Sequence, residues 1–111
     1  MAKSLFFEAT GDHFGKDVTR VMQQNPHKAE HHHVPWYAVL NDGRYKYIRY
    51  LKPDVPEELY DLISDPEKLT NLAESKHEQP ALIRMRQMTV NELIRTEANY
   101  IDLLPSLQKE Q

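Results

Sequence analysis

Three consecutive histidines, His31-His32-His33, with His27 before them and Trp36 just beyond, are the densest group of chemically able side chains in this sequence. Imidazole ligates metals, donates to oxyanions and gains charge as pH falls, and an indole offers a face on which a sugar or aryl ring can rest. Consecutive residues of an extended chain point to opposite sides, so at most two of the three histidines converge on one metal ion. Glu30 is the only carboxylate at a ligand-like spacing. No metal site is therefore assigned. His31, His32, His33 and Trp36 are read as candidate substrate-binding residues on a loop, because loops on rigid scaffolds carry binding groups more often than strands do. The competing reading is a solvated loop with Trp36 packed in the core.

A second run, Arg44-Tyr45-Lys46-Tyr47-Ile48-Arg49-Tyr50, interleaves basic and aromatic residues as RNA-binding sheets do. Strand alternation separates them, with Arg44, Lys46, Ile48 and Tyr50 on one face and Tyr45, Tyr47 and Arg49 on the other. A stacking platform would keep aromatics and cations together, so no nucleic-acid partner is expected. Gly11-Asp12-His13 reads as a capped turn rather than an acid–base pair, and Phe14-Gly15-Lys16 lacks the flanking glycine of a P-loop. No paired-carboxylate or Ser-His-Asp motif is present, so no catalytic residue is assigned.

The elements that must hold these residues fit in one domain of 111 residues, expected over 1–104 with a flexible tail at 105–111. No cysteine is present, which removes disulfides, thiolate metal sites and cysteine nucleophiles. No apolar run reaches the roughly 18 residues of a membrane span, and the apolar core of the first eight residues is too short for a signal peptide. The net charge is −3, split as +2 over residues 1–56 and −5 over 57–111, which also argues against a nucleic-acid binder. Five of the six histidines lie in the first half, so that half becomes more positive in mild acid.

Leu5-Phe6-Phe7 reads as a strand, and Lys16 to Asn25 as a short helix with Val18, Val21 and Met22 at helical spacing, ended by Asn25-Pro26. Residues 26–33 read as a loop. Val34–Leu40 and Arg44–Leu51 form a hairpin across Asn41-Asp42-Gly43, where Asp-Gly supplies positive φ, giving a hairpin over about 34–51. The two prolines of Pro53-Asp54-Val55-Pro56 stiffen a connector into a strand at Glu58–Leu62. Asp65-Pro66-Glu67 has the makings of a helix start. The last large element is a helix over about 79–99 whose apolar face gathers Leu82, Ile83, Val90, Leu93 and Ile94. Arg86 and Glu97 fall in that sector. Either their stems lie along the apolar face with their heads in water, or the helix meets something polar that supplies partners. The fold class is α+β, a small antiparallel sheet of three or four strands covered by a long C-terminal helix.

Taken in order, Gly43-Arg44-Tyr45-Lys46-Tyr47-Ile48, Glu58-Leu59-Tyr60-Asp61-Leu62, Asp65-Pro66 and Asn71-Leu72-Ala73 closely resemble the C-terminal subdomain of the type I, arylsulfatase-like sulfatases. Lys3-Ser4-Leu5-Phe6-Phe7-Glu8 resembles that subdomain's first strand, and the likeness spans about residues 3–98. The resemblance implies a four-stranded antiparallel sheet with a C-terminal helix, attached in complete enzymes to a large α/β catalytic domain. In the family, catalysis uses a formylglycine made from Cys or Ser in Cys/Ser-x-Pro-x-Arg, beside a calcium ion held by acidic residues. Ser64-Asp65-Pro66-Glu67-Lys68 mimics that motif but ends in Lys and lies inside the tail motif. Gly11-Asp12-His13 echoes a metal segment but sits too close to the hairpin. Calcium and formylglycine are thus expected only in a complete sulfatase, and no cofactor in this chain.

The implied function is a subdomain or fragment of a sulfatase, a sulfuric ester hydrolase, that is non-catalytic alone and helps wall the substrate cleft. The expected partners are a sulfatase catalytic domain, or self-association through an exposed apolar face, with a sulfated substrate near the histidines. The alternative is an independent module that binds a protein or anionic glycan through the His-rich loop and hairpin face. Complete family members are often periplasmic, secreted or lysosomal; the sequence itself assigns no compartment.

Overall fold

In the computed structural model, residues 5–10, 16–96, 98 and 100–107 are described. Lys3-Ser4, Gly11-Asp12-His13, Phe14-Gly15, Glu97, Asn99 and the tail from 108 onward lie outside the described residues.

Along the chain, β1 (Leu5–Ala9) precedes α1 (Lys16–Gln24) and a single 3-10 turn at Pro26–Lys28. Two very short strands follow, β2 (Glu30–His31) and β3 (Val34–Pro35), then β4 (Tyr37–Asn41), β5 (Tyr45–Tyr50) and β6 (Glu58–Asp61). A 3-10 turn at Lys76–Glu78 leads into α2 (Gln79–Arg95), and another 3-10 turn covers Ile101–Leu103. β1-β4-β5-β6 form one antiparallel sheet in that order, and β2 with β3 form a separate two-stranded sheet. The α+β class is observed, and of the three or four strands read from the sequence the main sheet has four.

Alternation along the strands decides what the sheet buries. Tyr45, Tyr47 and Arg49 of β5 face the core while Lys46, Ile48 and Tyr50 face the other way. Leu40, Tyr45, Tyr47 and Leu59 meet Leu82 and Met85 of α2 in one cluster. A second cluster joins Val18 and Met22 of α1 to Trp36, Leu51, Leu93 and Tyr100.

The β4–β5 turn forms as expected, but Gly43 alone takes positive φ, at 99°. Side chains tie the rest of it. Asp42 Oδ1 accepts the Arg44 and Tyr45 N–H groups at 2.9 and 2.7 Å, and Asn41 Oδ1 accepts that of Gly43 at 2.8 Å.

Four local expectations change. The strand expected from Val34 breaks at Trp36: Val34–Pro35 pairs with Glu30–His31, because Pro35 has no N–H with which to extend the main ladder. The loop expected over 26–33 therefore ends in a miniature hairpin. No helix grows from Asp65-Pro66; instead the Asp65 carboxylate accepts the N–H groups of Leu69 and Thr70 at 3.1 and 2.9 Å and closes a loop. Finally, α2 stops at Arg95, where the Thr96 hydroxyl donates to the Glu92 carbonyl at 2.9 Å, and its buried stripe is Leu82, Met85, Thr89 and Leu93. Ile83 and Ile94, expected in the core, are 59% and 57% exposed. In this rotation of the helix Arg86 reaches a buried carboxylate, Glu57, while the two isoleucines turn outward.

Candidate functional site

The histidines form the tip of the β2–β3 hairpin. Glu30 lies opposite Pro35 and His31 opposite Val34, which leaves His32 and His33 as the two turn residues. Both take the left-handed conformation, with φ of 50° and 68°. Two-residue hairpin turns of this kind normally use Asn-Gly, so each histidine here is held at a cost of about 1 kcal/mol or more. The ring of His32 meets that of His31 edge-on at 4.1 Å between centroids. His33 Nδ1 is 3.6 Å from the Glu30 carboxylate, which also holds Lys52 Nζ. The hydrogen bond from Lys52 keeps the Glu30 carboxyl below its ordinary pKa. The tip thus offers imidazole donors beside a lysine–glutamate pair, with His33 almost wholly exposed.

Trp36 does not join them. It is 1% exposed and packed among Met22, Leu51 and Leu93, so its ring face is not offered to a ligand. Its backbone does connect the two sheets: its N–H donates to the Ala29 carbonyl and its carbonyl accepts the Leu51 N–H, both at 2.8 Å. Trp36 anchors the turn that carries His31, His32 and His33. The sequence separates these roles only weakly, since a tryptophan three residues from a loop fits either.

Sequence reasoning missed a second polar centre at the end of the sheet. Glu57, just before β6, accepts the Tyr47 hydroxyl at 2.7 Å and Arg86 Nε at 2.9 Å, and Arg86 Nη2 binds its other oxygen. Burial, reinforced by Glu57, pushes the Tyr47 phenol far above its ordinary range, and Glu57 raises Arg86 in turn. The head of Arg86 therefore meets a partner rather than water. Asn71 Nδ2 donates to the Glu57 carbonyl at 3.2 Å and completes the floor of a cleft of about 210 Å³. Tyr50, Asp54, Glu74 and Pro105 stand among its walls. The only sequence signal was the placement of Arg86 in the apolar sector of α2.

On the sheet face away from α2, the strand register sets Phe7, Tyr37, Ile48, Tyr50 and Tyr60 together around Val39. Phe7 packs edge-on against Tyr37, and Tyr37 against Tyr50, each at 6.2 Å. The Tyr50 and Tyr60 hydroxyls converge on Glu58. Burial and that bond raise Tyr60 to about 12.

Neither calcium nor a formylglycine fits the described residues. The Asp65 carboxylate beside Ser64 is committed to the Leu69 and Thr70 amides, and no three His, Cys, Asp or Glu side chains gather among the described residues.

No protein-family model matches the sequence, and no curated protein matches it. Solved structures do. A 2-O GAG sulfatase aligns with a TM-score of 0.56 and 30% identity over 60% of this chain and 14% of its own. A candidate sulfatase from Bacteroides thetaiotaomicron VPI-5482 aligns at 0.58 and 28% identity over 68% and 16% of the two chains. The chain resembles a small part of a sulfatase. The phosphonate monoester hydrolase of Agrobacterium radiobacter aligns at 0.52 and 25% identity over 85% of this chain and 17% of that one. The chain thus spans about one-sixth of the length of the proteins it matches, and the sulfatase resemblance read from the sequence is borne out by the fold.

Proposed function

We propose that this chain serves as the C-terminal subdomain of a sulfatase, a sulfuric ester hydrolase, non-catalytic by itself and packed on a catalytic domain whose substrate cleft it helps to wall. The observation that carries this reading is the open sheet face. Leu5 and Phe7 are 66% and 54% exposed beside Tyr37, Ile48 and Tyr50, and an apolar surface of that kind marks an interaction site. The likeness to about one-sixth of its sulfatase neighbours' length supports a catalytic domain as the partner for that face. On this reading His31, His32 and His33 stand at the rim, where imidazole donates to a sulfate oxygen, and Trp36 holds their turn in place.

The test is reconstitution. The chain is added to the candidate Bacteroides sulfatase from which the matched 16% has been removed, and complex formation is followed by light scattering. A one-to-one complex is expected, with loss of the hydrophobic-dye signal that the chain gives alone. The chain alone releases no sulfate from an aryl sulfate above a boiled control. No complex, together with strictly monomeric behaviour and no dye binding at millimolar chain, sinks the reading. The histidine role has its own measurement: a sulfated sugar should shift the ring protons of His31–His33 at pH 6, and a flat titration removes them from the cleft.

A further inference from the structure

Three arginines of this protein share a habit that Arg49 lacks. Arg86 sets Nε 2.9 Å from one Glu57 oxygen and Nη2 against the other. Arg44 sets Nε and Nη2 at 3.4 and 3.0 Å from Asp61, and Arg95 sets them at 3.0 and 3.1 Å from Glu92. Each grips a carboxylate with the same edge of the guanidinium. Arg49 presents that edge to a single backbone oxygen: Nη2 donates to the Pro105 carbonyl at 3.2 Å. Its Nε is buried and has no hydrogen-bond partner among the described residues, and no ion pair forms with it there. Yet Arg49 is 6% exposed, the one arginine counted in the buried core. A guanidinium withdrawn from water without an anion is strongly disfavoured. Glu57, at the same end of the sheet, is already committed to Tyr47 and Arg86.

We infer that Arg49 is a receptor for a compact two-oxygen anion, a carboxylate or a sulfate group, that takes Nε and Nη2 together and displaces the Pro105 carbonyl. A lone carbonyl matches half of the fork, whereas a two-oxygen anion matches all of it and brings the missing charge. The cover is light. Residues 104–107 follow the Ile101–Leu103 turn, and Ser106 is exposed. Pro105 also lines the neighbouring cleft, where Asp54 and Glu74 repel an extended polyanion and so favour a compact one. The inference is independent of the sheet-face docking, because Arg49 lies on the opposite face of β5 from Ile48 and Tyr50.

The test is an NMR titration of the full chain, labelled with nitrogen-15, with sodium acetate and separately with sodium sulfate. Sodium chloride at matched ionic strength is the control. The Arg49 Nε–H resonance should shift saturably, and the Ser106 and Leu107 amides should move with the same midpoint. Saturation by acetate alone assigns the site to carboxylates, and saturation by sulfate alone or by both assigns it to a free oxyanion. Arg49→Lys keeps the charge but loses the fork, and should weaken binding at least tenfold. The absence of a saturable Arg49 shift up to about 0.1 M in both arms overturns the proposal. Movement of the strap amides that persists unchanged in Arg49→Lys also overturns it.

Discussion

The two faces of the main sheet are built from the same four strands and differ in what meets them. Toward α2, several polar groups are matched, Tyr47 with Glu57 and Arg86, Tyr45 with Glu78 at 2.9 Å and Arg44 with Asp61, while the Arg49 Nε is not. Away from α2, Phe7, Tyr37 and Tyr50 pack edge-on in a row, and two tyrosine hydroxyls share Glu58. An antiparallel sheet with one wet side normally reads apolar-in and polar-out. Here β5 puts Tyr45 and Tyr47 on one side and Ile48 and Tyr50 on the other, so neither side is a polar exterior. One layer of helix answers half of that pattern.

Breaking the covered face should have the largest effect. Arg86→Met leaves Glu57 buried without its cation and should cost about 3–5 kcal/mol in urea unfolding. The double variant with Glu57→Leu should regain most of the loss; equal losses in both variants would mean the pair is not what holds α2 in its rotation. Acid comes next. Arg44 and the Ile63 and Ser64 amides hold Asp61 below the ordinary carboxylate range. Burial works to raise Asp42, but Arg84 and the Tyr45 and Arg44 amides outweigh it and hold it down too. A carboxyl depressed in the folded state stabilises it above the unfolded pKa, and that contribution disappears as pH falls through the folded value. The melting temperature should fall as pH drops from about 5 toward 3, and Asp61→Asn should flatten that fall. An unchanged slope in the variant would separate Asp61 from acid stability. The smallest effect on stability belongs to the open face. Ile48→Glu should change it by no more than about 0.5 kcal/mol while abolishing dye binding, and a large loss of stability would show that this face is already part of the core.

The sequence made the β4–β5 hairpin and β6 legible because their signals are local: alternation on either side of Asp-Gly, and prolines before Glu58. The presence of α2 was equally clear from its spacing. Its rotation was not, because the pairing that sets it joins residues 29 apart in the chain and hydropathy counts Ile83 and Ile94 as better core residues than Thr89. The candidate site divides in the same way. Three adjacent histidines are visible to anyone reading the chain, but a His-His turn at positive φ has no propensity signal, and Pro35 carried the hint that a separate small hairpin begins there. Burial of Trp36 could be weighed but not decided, since the apolar shell around it comes from α1, α2 and the 3-10 turn near Tyr100.

Trp36 also makes the histidine turn a stiff attachment. The β2–β3 unit is too short to hold a shape alone, yet a single residue bonds to the chain just before it and to Leu51 beyond the main sheet, with its indole wedged between two helices. A push on His32 or His33 therefore travels through backbone bonds into the core instead of being absorbed by a swinging loop. The tip moves as a rigid spur of the domain, and whatever orients the domain orients the imidazoles.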